Sequence, residues 1–127
     1  MTADDLYGAA LALMAESRDR AKGYRDKLVP LVNLLLAGAY PAEQALRRAR
    51  GHPPLAALPR ITTEGEELPY REELLAGALP YGLAGMLVMD DDPGKANYFN
   101  AVYDAALAAL SPADFVPVAD CYGGDGR

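Results

Sequence analysis

Residues 71–89 read REELLAGALPYGLAGMLVM, and the fold turns on them. Leu75, Ala78, Leu79, Gly82, Leu83, Met86 and Leu87 recur at spacings of three and four, which predicts one inward-facing helical stripe. Pro80 lies inside it and predicts a kink, because proline has no N–H to donate and its ring crowds the preceding turn. Gly77, Gly82 and Gly85 offer places where another helix could approach closely. Asp90, Asp91, Asp92 and Pro93 then end the stripe and open a new one: Asp92 suits a helix N-cap and Pro93 a first helical position. Over Pro93–Leu110, Ala96, Phe99, Val102, Tyr103, Ala106, Leu107 and Leu110 share one side, and Ser111-Pro112 closes that helix.

The pattern upstream is also helical. Thr2 is a good N-cap, Asp4 and Asp5 suit a first turn, and Leu6, Ala10, Leu13 and Met14 form a stripe. A densely charged segment follows. Tyr24, Leu28, Leu31, Val32, Leu35 and Ala39 predict a second helix, with Pro30 either in its first turns or kinking it and Gly38 and Pro41 marking its end. Beyond Pro41, Ala42, Ala45, Leu46 and Ala49 predict a separate short helix finishing on Arg47, Arg48 and Arg50, whose charge complements a helix C-terminus. Residues 52–70 contain Pro53, Pro54, Pro59, Gly65 and Pro69, so they read as a loop or a small hairpin, with Ile61-Thr62-Thr63 long enough for one edge strand at most. A loop of this length is usually functional or lies against a partner. After Pro112 the helical period vanishes, leaving Phe115, Val116, Val118 and Tyr122 as isolated apolar groups among chain breakers. The expected fold is all-α: a small helical bundle of four main helices plus a short one over residues 1–112, with a proline-rich excursion at 52–70 and an extended C-terminal docking arm over 113–127.

Composition narrows the function. With 127 residues the chain holds about one domain and one core. Hydrophobic residues make up 51%, but many are alanine, which favours closely packed helices. The net charge of −6 argues against a broad nucleic-acid-binding face, which needs basic residues to displace counterions. The charge is uneven. Residues 1–50 carry eight Lys/Arg against six Asp/Glu, and residues 51–127 carry four against twelve, so one half is +2 and the other −8. Cys121 is the single cysteine, which excludes an internal disulfide and a Cys-rich zinc site. The longest apolar stretch, residues 28–40, contains Pro30 and Asn33 and is too short to span a bilayer. No charged-then-apolar leader opens the chain, so the expectation is a soluble intracellular protein.

The residues that could carry chemistry are few. His52 is the single histidine and stands at a loop start, while Cys121 lacks basic neighbours that would activate its thiol. Asp90, Asp91 and Asp92 lack the spacing of a calcium loop and are explained by helix capping. Glu66-Glu67 and Glu72-Glu73 are paired only in sequence, and no glycine-rich loop precedes a helix in the manner of a phosphate cradle. Arg18, Arg20, Lys22, Arg25 and Lys27, interleaved with Asp19 and Asp26, read first as a solvated helix face. Their sharper reading is a contact to passing DNA in a lumen or to an acidic neighbouring subunit. No catalytic, cofactor-binding or metal-binding residue is expected, and the chain does not read as an enzyme.

Glu72-Glu73-Leu74-Leu75, Ala78-Leu79-Pro80-Tyr81-Gly82-Leu83-Ala84, Asp90-Asp91-Asp92-Pro93 and Tyr98-Phe99 with Tyr103 and Ala106 resemble small head-to-tail connector (adaptor) proteins of tailed bacteriophages and prophages. Leu31-Val32-Asn33-Leu34-Leu35-Leu36, Ala45-Leu46-Arg47-Arg48-Ala49 and Val118-Ala119-Asp120-Cys121-Tyr122-Gly123-Gly124 fit the same pattern. The resemblance implies a helical subunit of a homo-oligomeric ring, commonly of twelve copies, beneath the portal protein in the virion neck. The ring would be assembled in the host bacterial cytoplasm. It would extend the DNA channel, meet DNA only as passing content, and dock a downstream neck or tail protein, with no membrane partner.

Expected roles follow for named residues. Thr2 and Asp92 are helix caps. Ile61, Thr62, Thr63, Leu68 and Tyr70 are assigned to an intersubunit loop. Phe115, Val116, Val118, Asp120, Tyr122, Gly123 and Gly124 are assigned to partner docking by the tail. The competing expectation is a small helical interaction or regulatory module acting as a monomer or dimer.

Overall fold

The computed structural model describes residues 1–16 and 22–110. These residues form an all-α bundle of six helices: α1 (Ala3–Leu13), α2 (Lys22–Arg25), α3 (Leu28–Ala49), α4 (Glu72–Gly77), α5 (Leu79–Val88) and α6 (Pro93–Leu110). Among the described residues no helix is long and apolar enough to cross a membrane.

Helix α5 is the centre of the bundle. Leu79, Leu83, Ala84, Leu87 and Val88 are buried on several sides of it, and α1, α3, α4 and α6 pack around it. A helix apolar all round must be enclosed, which is why this short segment organises the others. The expected helix over 71–89 is instead two helices. The chain breaks at Ala78, whose backbone (φ −129°, ψ −49°) departs from helical values, and Pro80 falls in the first turn of α5. There its missing N–H costs nothing, since the first N–H groups of a helix have no partner within it.

Two glycines of α5 set the closest approaches. A Cβ on Gly82 would stand 2.7 Å from Leu35 Cδ2 and 3.0 Å from Tyr103 Cε1, so α3 and α6 meet over this position. A Cβ on Gly85 would collide with the Asn100 amide of α6. Gly77, expected to act similarly, borders open space.

The two helices expected on either side of Pro41 are one. Helix α3 runs for 22 residues through that proline. Pro41 and Ala37, whose carbonyl it leaves unbonded, are both exposed, so water can take the vacant acceptor. The far half of the helix is also held by tertiary bonds. Glu43 is completely buried and accepts from Arg47 Nε at 2.6 Å and from the Arg71 backbone N–H at 2.9 Å. Arg47 in turn donates to the carbonyls of Pro53 (3.2 Å) and Pro69 (2.9 Å), tying both ends of the 52–70 loop to α3.

Helices α1 and α3 end in the same Schellman arrangement. In α3, Gly51 N–H bonds Arg48 O and His52 N–H bonds Arg47 O, with Gly51 at φ 70°. In α1, Ala15 N–H bonds Ala12 O and Glu16 N–H bonds Leu11 O, with Ala15 at φ 58°. Leu13, expected on the inner stripe of α1, is instead partly exposed at this turn, while Ala3, Tyr7 and Leu11 join Leu6, Ala10 and Met14 inside.

Both expected caps are formed. Asp5 N–H donates to Thr2 Oγ1 (3.1 Å) while Thr2 N–H donates to an Asp5 carboxylate oxygen (3.0 Å), a capping box at α1. Lys95 N–H donates to Asp92 Oδ1 at 3.1 Å and Ala96 N–H to Asp92 O, so Asp92 caps α6.

Candidate interaction surface

The excursion is a loop without a hairpin, and its order comes from side chains of α3. Asn33 holds Ile61 through both backbone groups: its Nδ2 donates to Ile61 O (3.0 Å), and its Oδ1 accepts from Ile61 N–H (2.8 Å). Gln44 holds Leu55 in the same way, at 3.0 Å and 2.9 Å. The far end of the loop lies along the start of α1, where Leu68 N–H bonds Met1 O, Asp4 N–H bonds Glu64 O, and Thr2 and Glu67 form an isolated antiparallel bridge. Glu66 closes the tip. One of its oxygens accepts from the backbone N–H and hydroxyl of both Thr62 and Thr63, and those bonds hold its carboxyl below the usual glutamate range.

Pinned this way, the loop and α3 enclose an open groove of about 680 Å³. Its α3 wall includes Pro30, Leu34 and Ala37, and its loop wall runs from Leu58 to Thr62. Leu34 is 60% exposed and Leu58 49%, although both are large and apolar. Arg60 supplies the one charge among the lining residues.

The residues assigned to an intersubunit loop divide. Ile61, Leu68 and Tyr70 are buried in the chain's own core, with the Tyr70 hydroxyl donating to Leu36 O, and they are unavailable to a neighbour's surface. Thr62 and Thr63 are exposed, and Ile61 and Thr62 also border the groove.

The basic cluster divides too. Arg25, expected at a lumen or neighbour contact, is engaged within the chain: it pairs with Glu64 and Asp4 and stacks its guanidinium over the Tyr7 ring at 5.1 Å. This joins α2 to α1 and to the loop. Lys27 stays largely exposed, 3.9 Å from Asp90. Lys22 belongs to α2, and Arg18 and Arg20 lie outside the described residues. The tail residues Phe115, Val116, Val118, Asp120, Tyr122, Gly123 and Gly124 also lie outside them.

A second depression, about 410 Å³, is lined by Glu16, Tyr24, Lys27, Leu31, Met86, Leu87, Asp90 and Asp91. The Tyr24 hydroxyl donates to Asp91 at 2.5 Å, and that bond, aided by burial, pushes its pKa up to about 12. His52 stands on the surface with Nδ1 3.3 Å from an Arg71 nitrogen, and Arg50 pairs with Glu73, which lowers the Glu73 carboxyl. Among the described residues no group of three or more His, Cys, Asp or Glu side chains is placed to hold a metal ion.

Helix α6 is covered on one side only. Ala96 and Phe99 are buried, whereas Val102, Tyr103, Ala106, Leu107 and Leu110 are half-buried. Its outer side carries Tyr98, Ala101, Ala105 and Ala108, all exposed, at spacings of three and four.

Sequence reasoning missed Asn33, which positions the loop wall of the groove at Ile61, and Gln44 and Glu43, which anchor the chain at Leu55 and at Arg71. The available signal was Asn33 itself, an amide within an apolar run, which had to find partners once the helix packed. Compared with family models, curated proteins and solved structures, the chain matches none of them.

Proposed function

We propose that the chain is a structural adaptor, a ring-forming subunit of the head-to-tail connector type. In this reading it extends the DNA channel beneath a phage portal and joins it to the next neck or tail component. The observation that carries the reading is the outer face of α6. Tyr98, Ala101, Ala105 and Ala108 make a neutral stripe along the uncovered side of this 18-residue helix, with Tyr98 62% exposed. The exposed charges of this helix, Lys95 and Asp104, stand to either side of the stripe, and its small side chains let a second helix come close.

Ring geometry asks for two different faces that fit each other on neighbouring copies. The charge asymmetry between residues 1–50 and 51–127 supplies electrostatic difference for such a contact. The overall acidity also suits a channel through which DNA slides without adhering.

Electron-microscope images of the purified full-length chain test the reading. Closed rings with a central opening are expected. Particles that remain monomers or dimers would contradict it and favour a small helical interaction module.

A further inference from the structure

We propose that the apolar groove between α3 and the 58–62 edge of the loop is the seat of the chain's own C-terminal segment, residues 115–122. The inference stands apart from the ring reading, because it concerns a contact within one subunit. The groove exposes Leu34 and Leu58 between walls whose single charge is the cation Arg60. A suitable occupant is therefore an apolar segment of acidic surroundings.

Two parts of the chain lie outside the described residues, and only one has that chemistry. Residues 17–21, SRDRA, contain no large apolar side chain. Residues 111–127 contain Phe115, Val116, Val118 and Tyr122, with Asp114 and Asp120 flanking the anchors. Pro117 favours an extended backbone there, both at its own φ and at Val116 before it. An extended chain can lie along a groove with alternate side chains turned into it, which puts Val116, Val118 and Tyr122 on one face.

The tether is long enough. Tyr103 of α6 meets the same Gly82 surface as Leu35, the neighbour of Leu34 on α3. From Tyr103 to Leu110 the helix advances about 10 Å. The eight residues from Leu110 to Val118 span up to about 27 Å, more than that advance and the 10–12 Å diameter of a helix taken together, so the arm can round the flank of α3. A segment tethered at this range meets its own groove at an effective concentration of about millimolar, ahead of any copy at micromolar concentration.

Cross-linking in the full-length chain tests this. Ala37→Cys places a thiol on the exposed groove wall, Val116→Cys places one between the anchors, and Cys121→Ser removes the native one. A short bis-maleimide at low micromolar protein is expected to give mainly an intrachain bridge, identified by peptide mapping and migrating as a monomer under denaturing conditions. Adding Val118→Asp with Tyr122→Asp, or Leu34→Asp on the surface of α3, should remove most of that product. A covalent dimer as the main product would overturn the inference in favour of a second copy's arm. A missing bridge, or one that survives the Asp substitutions, would overturn it as well. Rings that form in any of those cases would leave the adaptor reading standing while this inference fails.

Discussion

Asn33 and Gln44 stand eleven positions apart on α3, three turns along one face, and each grips a single loop residue through both of its amide atoms. The excursion thereby gains from α3 the paired donor and acceptor that a neighbouring strand would otherwise supply. Removing the Asn33 amide strands both backbone groups of Ile61, and removing that of Gln44 strands the Leu55 N–H and leaves its carbonyl only the 3.4 Å bond from the Tyr40 hydroxyl. Asn33→Ala and Gln44→Ala are each expected to lower stability by about 1–3 kcal/mol in urea unfolding. The two sites are about 16 Å apart along the helix, so the losses should add in the double variant. Amide exchange at Ile61 or Leu55 that stays slow in the matching variant would contradict this role.

Glu43 is the costlier side chain to lose. It is fully buried, bonded to Arg47 and to the Arg71 backbone, and its removal leaves both donors without their acceptor. Glu43→Ala should destabilise the chain by about 3–5 kcal/mol, the range for breaking a buried pair by deleting one partner. Glu43→Gln keeps the shape and one acceptor, so its loss should be smaller. Equal urea midpoints for wild type and Glu43→Ala would refute this.

The two Schellman turns predict opposite responses to exchanging one methyl group. Ala15 holds a left-handed conformation that disfavours a Cβ, whereas Gly51 holds the equivalent position in α3 without one. Ala15→Gly should raise stability by about 1 kcal/mol, and Gly51→Ala should lower it by a similar amount. Thermal unfolding of the two variants beside wild type measures both signs.

Much of the fold was legible in the sequence, and the misses share a cause. The α1 and α6 starts followed from Thr2, Asp92 and Pro93, whose capping chemistry is local. Periodicity located the inner faces of α5 and α6. Pro41 was misread because its cost is local, while the bonds of Glu43, Gln44 and Arg47 that hold its helix together reach residues of the loop or of α4's start. Pro80 marked the break correctly in place but not in kind, since a kink and a new first turn look alike in sequence. For the interaction surface, the loop was visible as proline-rich chain. That Ile61, Leu68 and Tyr70 turn inward was not, because their partners are Asn33 and Leu36 of α3 and Met1 at the far end of the sequence.

Glu66 gives the loop tip a pH dependence. Its carboxyl is held below the usual range by the Thr62 and Thr63 donors, so the ionised form is favoured in the folded chain. That contribution is complete above the ordinary glutamate pKa and is lost as pH falls through the lowered folded value. Amide exchange of Thr62 and Thr63, corrected for intrinsic rates, should therefore accelerate on acidification through that window. In Glu66→Gln the two amides should already be faster at neutral pH and show no such acid step.

The outer stripe of α6 carries the central claim, and the mass of the chain in solution tests it most directly. Native mass spectrometry of full-length wild type should give one closed oligomer, a whole multiple of 13.5 kDa. Ala105→Arg, which places a charge in the middle of the stripe, should fall to the single-chain mass with unchanged helical circular dichroism. Wild type that remains a monomer or dimer across the micromolar range, or an Ala105→Arg chain with the same oligomeric mass as wild type, would contradict the account.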